Sequence, residues 1–308
     1  MVAFRPKSRK FALMKDDKAL RIDLQEVLRE RLPRLSHLIP RRLVGWMERT
    51  ICQEQLNGLL EENRGKVGAE FCRGVFRSLD ISYKVINEEY MPSKTNRRVV
   101  FVSNHPLGAL DGMILIDFVQ RYYGGQVWFV VNDLLMHVTP LRPVFLPINK
   151  FGSQSRESIR QMDAAFAGDD PIIIFPAGLV SRLHKVPFNG RRQKMVADLQ
   201  WKKTFVTKCC RYKRDVVPLF FSGTNSMRFY KIANWRKRLG LRFNIEQLYL
   251  PREIFNSKGK EFAITLGNPL SWHEMDSAGD AEGYAATVRS YVYMLPVMRP
   301  GKNDPVVS

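Results

Sequence analysis

A chain of 308 residues, 45% of them hydrophobic and 19 of them Phe, is long enough for one large α/β domain or two small ones around a substantial core. Forty-nine Lys and Arg against 30 Asp and Glu leave a net charge of +19, a balance that seeks a polyanion: nucleic acid, an anionic membrane face or an acidic carrier protein. No stretch reaches 18 uninterrupted apolar residues, the basic N-terminus leads into Lys15-Asp16-Asp17-Lys18 rather than a signal-peptide core, and Cys52, Cys72, Cys209 and Cys210 lack metal-ligand spacing, so a spanning helix, secretion and a cysteine metal site are not expected.

Residues 1–18 read as loosely structured. Leu20, Leu24, Val27 and Leu28 then recur at helical spacing as far as Pro33. Leu43, Met47, Ile51 and Leu59-Leu60 continue the period in a second helix, flanked by Arg41-Arg42 and closed by Gly65. That helix either covers the core or lays Trp46 and its basic flank on a lipid interface. Val67, Phe71, Val75 and Leu79 mark a third helix, and Ile81, Tyr83 and Val85 alternate as a strand. These signals divide the chain into an N-terminal helical accessory region (1–80), a main domain (81–298) and a mobile tail (299–308).

The apolar, β-branched run Val99–Ser103 reads as a buried strand that ends abruptly at Asn104-His105. A turn follows through Pro106, Leu107, Gly108, Ala109 and Leu110, and Asp111 stands as a possible cap of a helix over 113–123. Val127–Val131 and Val144–Ile148 are further strands, with the short Asp133–His137 between them. Gly152-Ser153-Gln154-Ser155 would cap a helix running to Gly168, and Ile172–Phe175 is a strand ending in the Pro176-Ala177-Gly178 turn. The spacing predicts a helix over Asp198–Arg214, then a strand at Val216–Phe221 and a basic helix over Phe229–Leu239 carrying Tyr230 and Trp235. A last strand, Phe262–Leu266, and a closing helix, Tyr284–Leu295, complete the pattern. Strands and helices alternate from residue 81 onward, which argues an α/β fold: a mostly parallel or mixed central sheet flanked by helices, with the N-terminal helices as an added layer.

A His at the mouth of a strand, with a carboxylate near the next helix start, lies where α/β sheets bind ligands. Residues 99–112 resemble the first signature of the glycerolipid (lysophospholipid, PlsC-type) acyltransferases, in which Asn-His is followed by Asp. Three further blocks occur in the family's order: Val144–Lys150, Ile172–Arg182 and Val216–Phe220. The wording Asn-His-Pro-Leu-Gly with Phe-Pro-Ala-Gly is most similar to the haemolysin-like branch linked to ornithine- and glycine-lipid synthesis. Two departures stand out. His105 and Asp111 are separated by five residues where four are common, so the extra residue must be taken up in the turn, which Gly108 permits. Ala177 replaces the Glu usual in the third block, which weakens the case for a lysophosphatidate acceptor.

The resemblance implies transfer of a fatty acyl chain from acyl-carrier protein or acyl-CoA to a lipid-precursor acceptor. His105 would be the general base and Asp111 would orient it and stabilise the imidazolium, with Asn104, Gly108 and Pro176 shaping the supporting loops. The nucleophile belongs to the acceptor, so no acyl-enzyme is required. Lys150, Gly178 and Arg182 would hold the acceptor, the two cations taking its phosphate or carboxylate. Ser103 points away from Asn104 on the strand and Cys209 and Cys210 lack a nearby His, so none of them reads as a nucleophile. His37 and His273 read as surface or capping residues and His137 as a core residue, while His184 is a candidate for the acceptor pocket.

From Arg182 to Arg242 the chain carries 17 Lys and Arg against Asp198 and Asp215. Lys202, Lys203, Arg236 and Lys237 are the candidates from this tract for docking an anionic membrane surface or acidic carrier, with Trp201 or Trp235 at the interface. No Walker loop, His-Glu-x-x-His or Gly-x-Gly-x-x-Gly is present, so no cofactor or metal is expected. The cysteine usage fits a reduced, cytosolic compartment, and with the basic tract it gives the expected location as the cytoplasm, peripheral to the inner face of the cell membrane. Two other readings stay open: a 1-acylglycerol-3-phosphate acyltransferase, and a non-catalytic module binding nucleic acid or membrane through the basic tract. No nucleic-acid recognition fold is visible, so nucleic acid is not the expected partner.

Overall fold

A computed structural model describes residues 21–31, 37, 39–148, 156–188, 191–240 and 245–297. Lys150, the proposed cap at 152–155 and the tail from 299 lie outside the described residues. In chain order the elements are α1 (Leu24–Arg31), α2 (Arg41–Thr50), α3 (Gln53–Glu62), α4 (Gly68–Leu79), β1 (Ser82–Ile86), β2 (Val99–Ser103), α5 (Leu110–Tyr123), β3 (Trp128–Asn132), β4 (Phe145–Ile148), α6 (Arg156–Ala167) and β5 (Ile172–Ile174). There follow β6 (Arg182–Phe188), β7 (Arg191–Ala197), α7 (Thr204–Tyr212), β8 (Asp215–Phe221), α8 (Met227–Arg238), α9 (Leu250–Phe255), β9 (Glu261–Leu266), α10 (Trp272–Ser277) and α11 (Ala281–Met294).

Seven strands form one sheet in the order β1-β9-β8-β2-β5-β3-β4. All pairings are parallel except β8 with β9, so β9 and β1 run against the other five. The fold is therefore a mixed, mostly parallel α/β sheet with helices on both faces, as the alternation from residue 81 predicts. Strand β2 lies near the centre, with Val100 in register with both Ile172 and Val216. Its alternation divides the core: Val99 and Phe101 join the cluster under α3, α4 and α5, while Val100 and Val102 join the one under α6, α7 and α11. Leu59, Leu60, Phe71 and Val75 from the N-terminal helices share the first of these clusters with the sheet.

Two local expectations are corrected, and one element is found where none was expected. The helical period through Leu43 and Leu60 belongs to two helices, because Cys52 adopts φ +53 and breaks the run. β6 and β7 pair antiparallel outside the main sheet. Leu183 and Val196, paired across it, pack against the cluster of Val180, Phe229 and Tyr230, an apolar signal set among many Lys and Arg. The helix expected from Asp198 begins at Thr204. Trp201 falls on its apolar period by coincidence, being buried in the preceding loop where its indole N–H donates to Asp198.

Candidate active site

Strand β2 delivers Asn104 and His105 to the C-terminal edge of the sheet. The side-chain amide of Asn104 extends the ladder beyond the strand, donating to the Phe221 carbonyl (3.0 Å) and accepting from the Phe221 amide (2.7 Å). His105 is then fixed through its own backbone: its N–H donates to Asp198 (3.1 Å) and its carbonyl accepts from the Ser181 amide (2.8 Å). Its ring lies flat against Phe175, with centroids 3.9 Å apart.

The chain turns back at Gly108 (φ +88), where a Cβ would come within 2.7 Å of both Leu250 and Val180. Glycine is thus required for conformation and for space. This turn absorbs the extra residue and brings Asp111 Oδ2 to 2.9 Å from His105 Nδ1. Asp111 is not the cap of α5, which starts at Leu110. It sits in the first turn and folds back, accepting from the amides of Leu107 (2.9 Å), Gly108 (3.2 Å) and Gly112 (2.9 Å). Burial alone would raise its carboxyl, but His105 and these amides outweigh burial and hold it below the usual carboxylate range. An ionised Asp111 leaves His105 Nε2 as the ring nitrogen able to take a proton.

Asp198 flanks the same histidine and is the site residue that sequence reasoning overlooked, having read it as a helix start and as one of two acids in a basic tract. It is buried and accepts from Ser181 Oγ (2.5 Å), the Trp201 indole and the His105 amide. Here burial prevails and pushes the carboxyl above its ordinary range. The Asp198 carbonyl also accepts from Arg289, tying the site to α11.

A cavity of about 680 Å³ opens beside His105. Its walls come from both halves of the core: Leu59, Phe71 and Met113 on one side, Met162, Phe166 and Phe205 on the other. No Asp or Glu lines it among the described residues. Gly178 (φ +64) and Pro176 reach it from the turn after β5, as does Lys202, whose amide donates to the Pro176 carbonyl (3.1 Å).

The remaining candidates are distributed differently from the expectation. Arg182 turns from the cavity to Glu246 (2.7 Å), a fully buried carboxylate that Arg236 also contacts (2.9 Å). Both guanidiniums are thus engaged inside the protein, Arg182 stacking on Phe229 as well. Lys203 is exposed and lies 3.8 Å from Glu282, whereas Lys237 is exposed beside Trp235 and Leu239. His184 bonds across its hairpin to the Ala197 carbonyl, and His105 is the one histidine among the described cavity-lining residues. The basic tract is therefore not a single solvated face. Arg214, its most buried member, caps α6 by donating to the carbonyls of Ala165, Phe166, Gly168 and Asp170. Desolvation lowers its guanidinium to about 10.

Comparison with known proteins places the chain in a family. Residues 26–298 match the family described as Acyltransferase. A lyso-glycine lipid O-acyltransferase of Phocaeicola vulgatus is 40% identical over 92% of this chain and 98% of its own length. The protein of the same name from Bacteroides thetaiotaomicron is 39% identical over 92% of this chain and all of its own. Among solved structures, the 1-acyl-sn-glycerophosphate acyltransferase PlsC from Thermotoga maritima aligns over 89% of this chain and 97% of its own, with 14% identity and a TM-score of 0.44.

Proposed function

The chain belongs to the acyltransferase family, and on that premise we propose that it moves a fatty acyl chain from an acyl thioester to the hydroxyl of a singly acylated amino-acid lipid, with His105 as general base. The observation that carries this reading is the His105–Asp111 pair beside an apolar cavity of about 680 Å³. His105 Nε2 takes the proton of the acceptor hydroxyl as its oxygen attacks the thioester carbonyl. An O–C bond forms, the C–S bond breaks, and the departing thiolate receives the proton from the imidazolium. Asp111 supplies the compensating charge while the imidazolium exists. The cavity accepts alkyl chain and the ends of the sheet strands hold the reacting atoms.

The names of the relatives favour a glycine lipid as acceptor. Glycine itself offers an amine and a carboxyl but no hydroxyl. In a lyso form whose amine is already acylated, the accepting oxygen lies on the acyl chain and the carboxylate stays free. The thioester donor is acyl-carrier protein or acyl-CoA. No helix among the described residues is long and apolar enough to cross a membrane. Contact with an anionic bilayer is assigned to α2, where Leu43 and Trp46 are exposed beside Arg41 and Arg42, and to the exposed end of α8 around Trp235 and Lys237.

Mass spectrometry of lipids from cells expressing the wild-type chain beside His105→Ala tests the assignment. Diacylated glycine or related amino-acid lipids should accumulate with the wild type only. Equal lipid profiles would favour a non-catalytic binding role, and a gain in phosphatidate alone would favour a lysophosphatidate acceptor.

A further inference from the structure

The cavity carries an electrostatic asymmetry that the acyl-transfer chemistry does not use. Two cations line it among the described residues, Lys202 and Lys208. Lys208 is neutralised by an ion pair with Asp163. Lys202 makes no ion pair among the described residues, and no carboxylate lines the cavity there to receive it. Its position is set by the same turn that holds His105. The Lys202 amide donates to Pro176, and its ammonium lies 3.6 Å from where a Cβ on Gly178 would stand. The other end of that turn is Phe175, against which the His105 ring is stacked.

We propose that Lys202 selects the acceptor by its free carboxylate, receiving that group at the cavity rim while the acceptor hydroxyl lies at His105. This rests on the amino-acid-lipid reading above and names the group that discriminates among acceptors. Phe175 and Gly178 are the ends of one hydrogen-bonded turn, the Gly178 amide donating to the Phe175 carbonyl (3.0 Å), so one loop carries both the ring stacked on His105 and the glycine beside the Lys202 ammonium. In an N-(β-hydroxyacyl)glycine, six bonds separate the hydroxyl oxygen from the carboxylate carbon, an extended reach of about 7 Å. A neutral headgroup forgoes the charge-assisted hydrogen bond to the Lys202 ammonium, a difference of about tenfold.

The test compares two acceptors, an N-(β-hydroxyacyl)glycine and its methyl ester, with wild type, Lys202→Gln and Lys202→Arg. The expected result is a fall of at least about tenfold in the acid-to-ester ratio of kcat/KM in Lys202→Gln, with Lys202→Arg recovering most of it. Lys202 is exposed and its structural hydrogen bond is made by the backbone, so both variants keep the turn. An unchanged ratio overturns the proposal. A rise in donor KM with an unchanged ratio also overturns it and assigns Lys202 to a donor phosphate. Wild-type enzyme that acylates neither compound overturns the acceptor reading itself, and the role of Lys202 with it.

Discussion

Replacing Asp111 by Asn isolates the charge of the carboxylate from its shape. Oδ2 accepts from His105 Nδ1 and the amides of Leu107 and Gly108, whereas Oδ1 accepts only from Gly112. An Asn side chain has one carbonyl oxygen, and three donors against one decide that it takes the Oδ2 position. Its NH2 then faces the Gly112 amide and leaves that buried donor unsatisfied, at a cost of about 1–3 kcal/mol in stability. The histidine keeps an acceptor, so its tautomer is preserved. What is lost is the difference between a charged and a neutral partner for the imidazolium, about 1–2 kcal/mol, or about five- to thirtyfold in kcat/KM. His105→Ala removes the proposed base and should cost about a hundredfold or more. Steady-state acylation assays on the two variants, beside urea unfolding, separate the effects. Full activity in Asp111→Asn with the expected loss of stability would refute the charge argument and leave Asp111 a purely structural residue.

Gly108→Ala should destabilise the protein by about 2–4 kcal/mol, since positive φ costs about 1–2 kcal/mol and the collision with Leu250 and Val180 adds to it; the urea midpoint reads this. Stability should also respond to acid. Asp111 has a depressed folded pKa, so its contribution is complete above the unfolded value of about 3.9 and is lost as pH falls through the lower folded value. Asp198 runs the other way, its ionisation costing stability as pH rises from about 3.9 through its raised folded value. Thermal unfolding followed from pH 6 to pH 2 should therefore fall less steeply in Asp111→Asn than in the wild type. Arg214→Met should cost about 3 kcal/mol or more, because it strips the end of α6 of its donor; a loss below about 1 kcal/mol in chemical denaturation would show that water replaces the guanidinium.

The sheet was legible because its strands are buried on both faces and read as continuous apolar runs, as in Val99–Val102 and Ile172–Ile174. The His105–Asp111 pair was legible from the motif despite its unusual spacing, since a glycine inside the turn signalled where the extra residue could go. The pairing of β6 with β7 was not, because half of their residues are polar and the two strands pair only with each other. Nor was the division of labour within the basic tract. Lys202, Arg214 and Arg236 look alike in sequence, yet one lines a cavity, one caps a helix and one joins a buried carboxylate. Partners distant in the chain decide which is which: Glu246 for Arg236, the α6 carbonyls for Arg214. Asp198 was hidden for the same reason, since its donors come from Ser181, Trp201 and His105.

The cavity walls are drawn from both hydrophobic clusters that hold the sheet to its helices, so an alkyl chain lying in it completes the protein's interior. Substrate and core are then made of the same material, and folding and lipid supply are thermodynamically linked. A long-chain acyl ligand raises the melting temperature by mass action, each further methylene in contact with the walls adding to the shift until the available space is filled. The length of chain at which the melting temperature stops rising would therefore measure the depth of the cavity without any turnover at all.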